Sequence, residues 1–521
     1  MIPLFTSQQV RAADSYAINK LGMPGIMLME NAAISIKNSI LAEFQQITSK
    51  NSFGIICGKG NNGGDGFALA RQLLINGFNV TVISLGKEKE LKGDALINYN
   101  ITKKIIRKYP KSSFVYFSSL KILDVLKKND IIVDALLGTG SRGELREPYK
   151  SIIEKLNTFR KIKIAIDVPT GLSLENANGA TIFNSDLTIT LAEFKTGLFY
   201  EKGYSSSGKV VKGSIGIGDS YFNSFKVNEY LIEPEDALKG LPSKKKNIEK
   251  YSAGKALIIA GSGKMPGAAI FATNSCMVTG AGAGFLAFPN SVKVVPQKKL
   301  NSAIVLAYND RGKEYLSVEN IDEIKEKIKW ADVVAIGPGL GRAKGTIEAV
   351  QNSLKLFPKK KMVIDADAIY ALKNSTYKNF DLTNKVFTPH HKEFADLLGI
   401  TLEKLKLNIL KYGKQFVKQT GAMLVLKGAP TIIFSPKNEV FINTTGNAGM
   451  AKFGTGDVLT GIITAFIAQN KEIEKSVISA VYIHSLTADL LLRKETEYGL
   501  IPEKIIKNIN KTIIFLRKSL V

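Results

Sequence analysis

Two glycine-rich segments, one in each half of the chain, hold the residues best suited to chemistry. The first is Gly58-Lys59-Gly60-Asn61-Asn62-Gly63-Gly64-Asp65-Gly66, directly after an apolar run at residues 53–57. The second is Gly454-Thr455-Gly456-Asp457, directly before a helical pattern at residues 458–468. Successive backbone N–H groups at a helix start attract anions, and each segment adds a carboxylate able to move a proton. Two such segments predict two active sites that act in sequence on one metabolite.

In the first half, Gly58, Gly60 and Gly63 satisfy the G-x-G-x-x-G spacing. A standard dinucleotide fingerprint also wants an acid at the end of the next strand. This chain has Ser84-Leu85-Gly86-Lys87 there, which argues against an ordinary redox NAD site. The asparagines of the surplus Asn61-Asn62-Gly63-Gly64-Asp65 can offer carbonyl oxygens to a monovalent cation, while the glycines let backbone N–H groups close on phosphate. Two more strand ends follow, Asp134-Ala135-Leu136-Leu137-Gly138-Thr139-Gly140-Ser141-Arg142-Gly143 and Asp167-Val168-Pro169-Thr170-Gly171-Leu172. Asp134 is a hard oxygen ligand for a cation, and Asp167 can act as general base or acid. The plainer alternative makes these aspartates helix caps. Three such motifs at consecutive strand ends favour a site.

In the second half, the N–H groups opening the helix after Gly454 can stabilise charge on a transferred phosphoryl group. Asp457 can take the proton of an attacking hydroxyl. Strand-end loops gather around this reading: Lys427-Gly428-Ala429-Pro430-Thr431, Gly446-Asn447-Ala448-Gly449-Met450-Ala451, Thr388-Pro389-His390-His391-Lys392-Glu393 and Gly337-Pro338-Gly339-Leu340-Gly341. No Walker A pattern occurs at the loop. Taken singly, Gly-Thr-Gly-Asp is a turn plus cap, the histidines are polar loop residues, and Asp365 and Asp367 are caps. Three histidines in all argue against a metal cluster.

These residues need α/β scaffolding. Short runs that are apolar on both faces, at residues 53–57, 80–85, 131–136, 164–166 and 187–191, read as buried parallel strands. Helical patterns at 67–75 and 149–156 separate them, and a capping box of Thr6 and Gln9 opens an earlier helix. A breaker-rich, charged stretch at 241–247 follows a weak pattern near 219–233, so the domains are expected at 1–222 and 228–521. Beyond lie further strands at 256–260, 284–288, 333–336, 362–364, 385–388 and 423–426. Ligands of open α/β sheets bind at the carboxyl ends of such strands.

Composition narrows the class. The 521 residues are 45% hydrophobic and 22% charged, ordinary for globular domains with full cores. No apolar run is long enough to span a bilayer, and residues 1–9 lack the features of a secretory signal, so a cytoplasmic protein is expected. Cys57 and Cys276 lie in apolar segments and read as buried, reduced thiols. The net charge of +25 comes from dispersed lysines without interleaved aromatics, which disfavours a nucleic-acid partner and suits polyanionic small molecules.

Over roughly residues 1–220 the motifs G-N-N-G-G-D-G, D-A-x-x-G-T-G and D-V-P-T-G resemble the epimerase domain of the NAD(P)H-hydrate repair enzymes. The resemblance implies a Rossmann-like three-layer αβα domain that interconverts the R and S epimers of hydrated NADH and NADPH. It implies potassium bound by Asn62, Asp134 and Thr170, the last a serine in most of the family. It also implies substrate held by Asn61, Asn62, Gly63, Gly64, Asp65, Gly138, Thr139, Gly140, Ser141, Arg142, Gly143 and Glu144, with Asp167 at the reacting ring. Over roughly residues 230–510, the motifs G-P-G-L-G, D-A-D-A, T-P-H-x-x-E, L-K-G-A-x-T, G-N-x-G-M-A and G-T-G-D resemble the dehydratase domain of the same enzymes. That implies a ribokinase-like α/β domain in which ADP phosphorylates the ring hydroxyl and phosphate then leaves. Asp457 would be the base. Ala268, Gly339 and His390 would touch the hydrate. Lys427, Gly428, Ala429, Pro430 and Thr431, with Asn447, Ala448, Gly449, Met450, Ala451, Lys452, Phe453, Gly454, Thr455 and Gly456, would surround ADP. The chain departs from the pattern at Ala448, usually proline, and at Phe453, usually glycine. A Cβ at 453 is expected to crowd the loop if φ must be positive there.

The expected function is therefore metabolite repair, epimerisation followed by ADP-driven dehydration, with magnesium accompanying phosphoryl transfer and a homo-oligomer as the assembly. The competing readings are a ribokinase-type small-molecule kinase with a regulatory nucleotide-binding half, and a nucleic-acid binder resting on charge alone.

Overall fold

The computed structural model describes all residues except Ser141, Arg142, Lys245, Lys471, Leu520 and Val521. It divides into two compact units, Pro3–Val227 and Asn228–Val521, with Met1–Ile2 joined to the second. Met1 and Ile2 were expected in the first domain. The N-terminal ammonium explains the difference, because it pairs with Asp236 at 2.7 Å and Glu233 at 3.1 Å.

The first unit is built on seven parallel strands in the order Ser113–Tyr116, Asn79–Ser84, Ser52–Cys57, Ile131–Ala135, Ile162–Ile166, Leu187–Leu191 and Lys209–Gly213. Chain direction across the sheet reverses between Ser52–Cys57 and Ile131–Ala135. A crevice opens at such a reversal, and the glycine-rich segment and Asp134 both stand there. The expected strands are present. Ser113–Tyr116 and Lys209–Gly213 were not foreseen; both are half-buried edge strands, so their sequences lack a two-faced apolar run.

The helix expected from residue 67 begins earlier, spanning Asn61–Ile75 with Gly60 as its N-cap. Three glycines inside it each cost about 1 kcal/mol relative to alanine. Burial of Phe67, Leu69, Leu73 and Leu74, each wholly removed from solvent, contributes about 1.5–3 kcal/mol per side chain and wins. The glycines also permit the packing. A Cβ on Gly63 would lie 2.0 Å from the Gly58 carbonyl oxygen, and one on Gly66 would lie 2.5 Å from Ala135 Cβ.

In the second unit the strands run in the order Glu229–Leu231, Val440–Asn443, Thr431–Phe434, Met423–Leu426, Lys385–Phe387, Met362–Ile364, Val333–Ile336, Lys255–Ile259, Ala283–Pro289 and Ile304–Tyr308. Met423–Leu426 onward is parallel, whereas Thr431–Phe434 runs antiparallel to both of its neighbours. Direction across the sheet reverses between Lys255–Ile259 and Val333–Ile336. The apolar helix Thr455–Gln469 packs against Pro266–Val278 over this sheet, burying Val458, Ile462, Ile463 and Ala465 completely. The hairpin Thr431–Phe434 and Val440–Asn443, and the edge strand Ile304–Tyr308, were not anticipated. Cys57 and Cys276 are buried free thiols. Among the described residues no helix is long and apolar enough to cross a membrane.

Candidate active sites

The carboxyl edge of the first sheet encloses a cavity of about 470 Å³. Of the anticipated residues, Asn61, Asn62, Asp65, Gly138, Thr139, Gly140 and Asp167 line it. Gly63 and Gly64 do not. Gly63 packs on the Gly58 carbonyl and Gly64 on the Met29 side chain, so their lack of a Cβ serves helix packing. Any role toward a ligand falls to backbone: the first N–H groups of the helix Asn61–Ile75 have no acceptor within it, and the Gly64 N–H already bonds Gly60 O. Gly143 borders a smaller neighbouring cavity that shares Arg11, Gly138 and Thr139 with the main one. Glu144 is exposed, and Ser141 and Arg142 lie outside the described residues.

Asp167 follows the strand Ile162–Ile166 in a left-handed conformation, φ 68°. This strained backbone turns its carboxylate onto a buried lysine, with Lys195 Nζ 2.8 Å from Asp167 Oδ1. Thr139 N–H donates to Oδ2 at 3.1 Å and Leu191 N–H to Oδ1 at 3.3 Å. Burial alone would raise this carboxyl, but the Lys195 charge and the N–H donors outweigh it and hold it below its ordinary range. Asp65 moves the other way, pushed well up by burial and then by the charges of Asp167 and Asp14. Lys195 escaped sequence reasoning. Its one signal is position, four residues past a strand end.

Asp134 is fully buried, and burial pushes its carboxyl up to about 6 despite three donors. Thr170 supplies two of them, its N–H to Oδ2 and its hydroxyl to Oδ1, both at 2.8 Å; the Leu136 N–H bonds Oδ1 at 3.0 Å. Asn62 is buried with both amide atoms unpartnered, and it stands beside Gly138. An orphaned buried carbonyl oxygen near the strand-end carboxylates is the kind of donor a monovalent cation satisfies. Asp134 and Thr170 bond each other directly, while Asn62, beside Gly138 and Asp167, keeps its orphaned carbonyl oxygen.

In the second unit, Gly454 has φ 94° and caps the helix Thr455–Gln469. A Cβ there would meet the Phe271 ring and Pro502 at 2.8 Å. The positive φ thus falls on Gly454, and Phe453 is entirely exposed at 103%. The expected crowding at 453 does not arise. Ala448 opens a short 3-10 turn that Asn447 caps by accepting from the Gly449 N–H. The loop hangs from Asp489, which accepts from the Gly446 N–H at 2.7 Å and the Asn447 side chain at 2.9 Å.

The Thr455 N–H is directed at Lys452 O, 3.4 Å away. The Gly456 and Asp457 N–H groups remain as the open anion-binding donors of this helix start. Lys427 Nζ comes within 3.2 Å of where a Gly456 Cβ would be, so an ammonium overhangs them. That lysine is committed: it bonds Asp365 Oδ1 at 2.8 Å, while the Thr460 hydroxyl bonds Asp365 Oδ2 at 2.7 Å. Burial first, then the Asp365 charge, push the Asp457 carboxyl up to about 7, with Lys427 pulling back and Asp367 adding to the rise. A carboxyl titrating near neutrality is suited to accepting a proton.

Gly339 and Ala268 meet, since a Cβ on Gly339 would lie 2.9 Å from Ala268 Cβ. His390 is placed beside Lys427 by the bond from Lys427 N–H to Pro389 O. It is also a cap, its Nδ1 accepting from the Glu393 N–H at 3.2 Å. Asp367 is a clamp: it accepts from the Gly341 N–H and from Arg342 Nε, both at 2.9 Å. Gly428, Ala429 and Thr431 follow Lys427 at the same sheet edge, with Gly428 and Ala429 exposed. The chain from Met450 and Ala451 to Lys452 leads into Gly454, with Lys452 Nζ tied to Tyr498 O at 2.6 Å. Among the described residues no group of three His, Cys, Asp or Glu side chains is gathered for a metal ion.

Residues 256–511 match the NAD(P)H-hydrate dehydratase family, and residues 25–197 match the YjeF-related protein N-terminus. The chain is 33% identical over 497 residues to the bifunctional NAD(P)H-hydrate repair enzyme Nnr of Moorella thermoacetica, covering 94% of this chain and 93% of that one. To the enzyme of the same name from Methanocaldococcus jannaschii it is 37% identical over 494 residues, covering 92% and 87%. A solved structure of the ADP/ATP-dependent NAD(P)H-hydrate dehydratase of Bacillus subtilis, co-crystallised with ATP and Mg²⁺, is 26% identical; it covers 56% of this chain and 100% of that one, with a TM-score of 0.47.

Proposed function

Because the chain belongs to the bifunctional NAD(P)H-hydrate repair enzymes, we propose that it repairs hydrated NADH and NADPH at two sites. The first unit interconverts the R and S hydrates, and the ribokinase-like second unit removes water from the S hydrate with ADP as phosphoryl donor. One observation carries the reading: each sheet gathers its family's motifs at the carboxyl edge of its strands, with a carboxylate near a lysine and helix-start N–H groups open to phosphate.

In the first cavity, the Asn61–Ile75 helix start receives a phosphate of the dinucleotide, and Gly138, Thr139 and Gly140 line the pocket wall. Asp167, held ionised by Lys195, accepts a proton at the reacting carbon's hydroxyl or at a water. Asn62, Asp134 and Thr170 would hold potassium, whose positive charge would favour the ionised Asp134 and the bound phosphate.

In the second unit, Asp457 takes the proton from the ring hydroxyl as that oxygen attacks the terminal phosphoryl group of ADP. The N–H groups of Gly456 and Asp457, with Lys427, stabilise the charge that develops. AMP leaves; the ring C–O bond then breaks with its electron pair on phosphate, a better leaving group than hydroxide, and the adjacent ring carbon gives up a proton to restore the C=C bond. Gly339, Ala268 and His390 border the hydrate; the 427–431 and 447–456 loops border the nucleotide. Magnesium is assigned to the nucleotide phosphates. A cytoplasmic setting, supported by the two buried free thiols, and a homo-oligomeric assembly belong to the same reading.

The test follows NADH absorbance from separated R and S hydrates with ADP, with and without potassium. Recovery from S needs only ADP, and recovery from R needs the first site as well. A protein that phosphorylates a small alcohol but never restores NADH would refute the proposal and favour the kinase reading.

A further inference from the structure

Inverting a hydroxyl-bearing carbon by loss and return of water needs two proton carriers, an acid for the departing hydroxyl and a base for the water. Asp167 is held ionised by Lys195 and supplies only the base. The first helix of the unit, Ser7–Asn19, crosses the same cavity and presents Val10, Asp14 and Ile18, spaced four apart on one face, with Arg11 beside them. Its start is fixed by the Thr6 and Gln9 capping box. Asp14 is the one carboxyl this helix aims into the cavity, and no role in the chemistry described so far uses it.

Resting on the epimerase reading, we propose that Asp14 is a catalytic residue, the proton donor to the departing ring hydroxyl. The C–O bond breaks with its electron pair on oxygen, which takes the Asp14 proton and leaves as water. The lone pair of the adjacent ring nitrogen closes a C=N bond. Water then attacks the opposite face, the C=N pair returns to nitrogen, and the new oxygen gives its proton to Asp167. No electron is gained or lost. One proton has passed from Asp14 to Asp167, and it returns through solvent, to which Asp14 is exposed.

The charges facing Asp14 suit this role. Arg11 lies on its own helix, Asp65 on the helix Asn61–Ile75, Asp94 at the start of Gly93–Ile105, Asp167 at the strand end and Lys195 behind it. Asp14 is exposed at the cavity mouth; partial desolvation there, then the Asp167 charge, push its carboxyl up to about 6, with Lys195 pulling it down. Asp65 is the rival acid, but it is buried at 8% exposure and held far above its ordinary value. It stays protonated and meets solvent far less than the exposed Asp14, so it holds ligand by a hydrogen bond.

The experiment measures R-to-S conversion without ADP, on the full chain, by separating the hydrates. Asp14→Asn should lower kcat by about 100-fold with KM little changed, and Asp14→Glu should restore at least a tenth of the rate. In the wild type kcat falls as pH rises through about 6; Asp14→Asn loses that limb, and Asp65→Asn keeps it whatever its rate. An Asp14→Asn protein with wild-type kcat, or one retaining the limb, overturns the proposal. Should that variant fail to fold, the pH limb of Asp14→Glu decides, because an acid of different reach and pKa must displace it and an unmoved limb overturns the assignment. A wild type that never interconverts the epimers refutes the epimerase reading itself, a different result.

Discussion

The two sites set a carboxylate near a lysine, buried in the first and half-buried in the second, and reach opposite electrostatic ends. In the first unit Lys195 bonds Asp167 directly, and the acid is held ionised. In the second, Lys427 bonds Asp365, and Asp457, without a direct partner among the described residues, is pushed up to about 7. Sharing a neighbourhood with a lysine therefore says little about a carboxylate. Which oxygen the ammonium touches decides whether the group is a fixed charge or a titrating base.

The largest effect expected is at the unpartnered acid. Asp457→Asn should lower ADP-dependent dehydration of the S hydrate by at least about 1000-fold and leave epimerisation unchanged. Persisting dehydration would remove Asp457 as the base. The same substitution tests the electrostatics through stability. A carboxyl raised from its ordinary value near 3.8 to about 7 contributes fully below pH 4 and loses that contribution as pH rises through 7. Asp457→Asn should then unfold at a higher temperature than wild type above pH 7, and at the same temperature near pH 4.

Breaking the direct pair should come next. Lys195→Met strands Asp167 as a buried charge, costing about 3–5 kcal/mol of stability in the first unit and most epimerase activity. Dehydration of S hydrate should survive. A first unit whose denaturant midpoint is unmoved would show the pair to be dispensable. The pH profiles sharpen the contrast further: dehydration should rise through about pH 7 as Asp457 ionises, while epimerisation falls above about pH 6. Parallel profiles would mean that the two carboxylates are not tuned apart.

Smaller effects test the supporting residues. Thr170→Ser keeps the hydroxyl that bonds Asp134 and should be nearly silent, whereas Thr170→Ala should raise the potassium needed for half-maximal epimerisation about tenfold. Equal behaviour of the two would dissociate the hydroxyl from the cation. The smallest effect belongs to Phe453→Gly. Its side chain is fully exposed and its backbone lacks the positive φ, so dehydration should change by no more than about twofold.

Much was legible from local sequence. Two-faced apolar runs identify central strands, and the capping pair Thr6 and Gln9 fixes a helix start to the residue. Edge strands such as Lys209–Gly213 were not legible, since a half-buried strand needs no continuous apolar run. Glycine was ambiguous for the same reason at a smaller scale. The spacing marks a turn, but whether a missing Cβ makes room for ligand or for backbone depends on what approaches, and at Gly63 it is the Gly58 carbonyl.

By itself the sequence determined the two α/β frameworks and the order of the strand-end motifs, and it offered Asp167 and Asp457 as candidates, because hydrophobic period and turn chemistry are local properties. Only the tertiary structure decided that Lys195, Asp14 and Asp365 join those sites, and with which partner each lysine pairs. Those choices are made by segments distant in sequence meeting at one sheet edge, where burial turns small differences in distance into large differences in charge state.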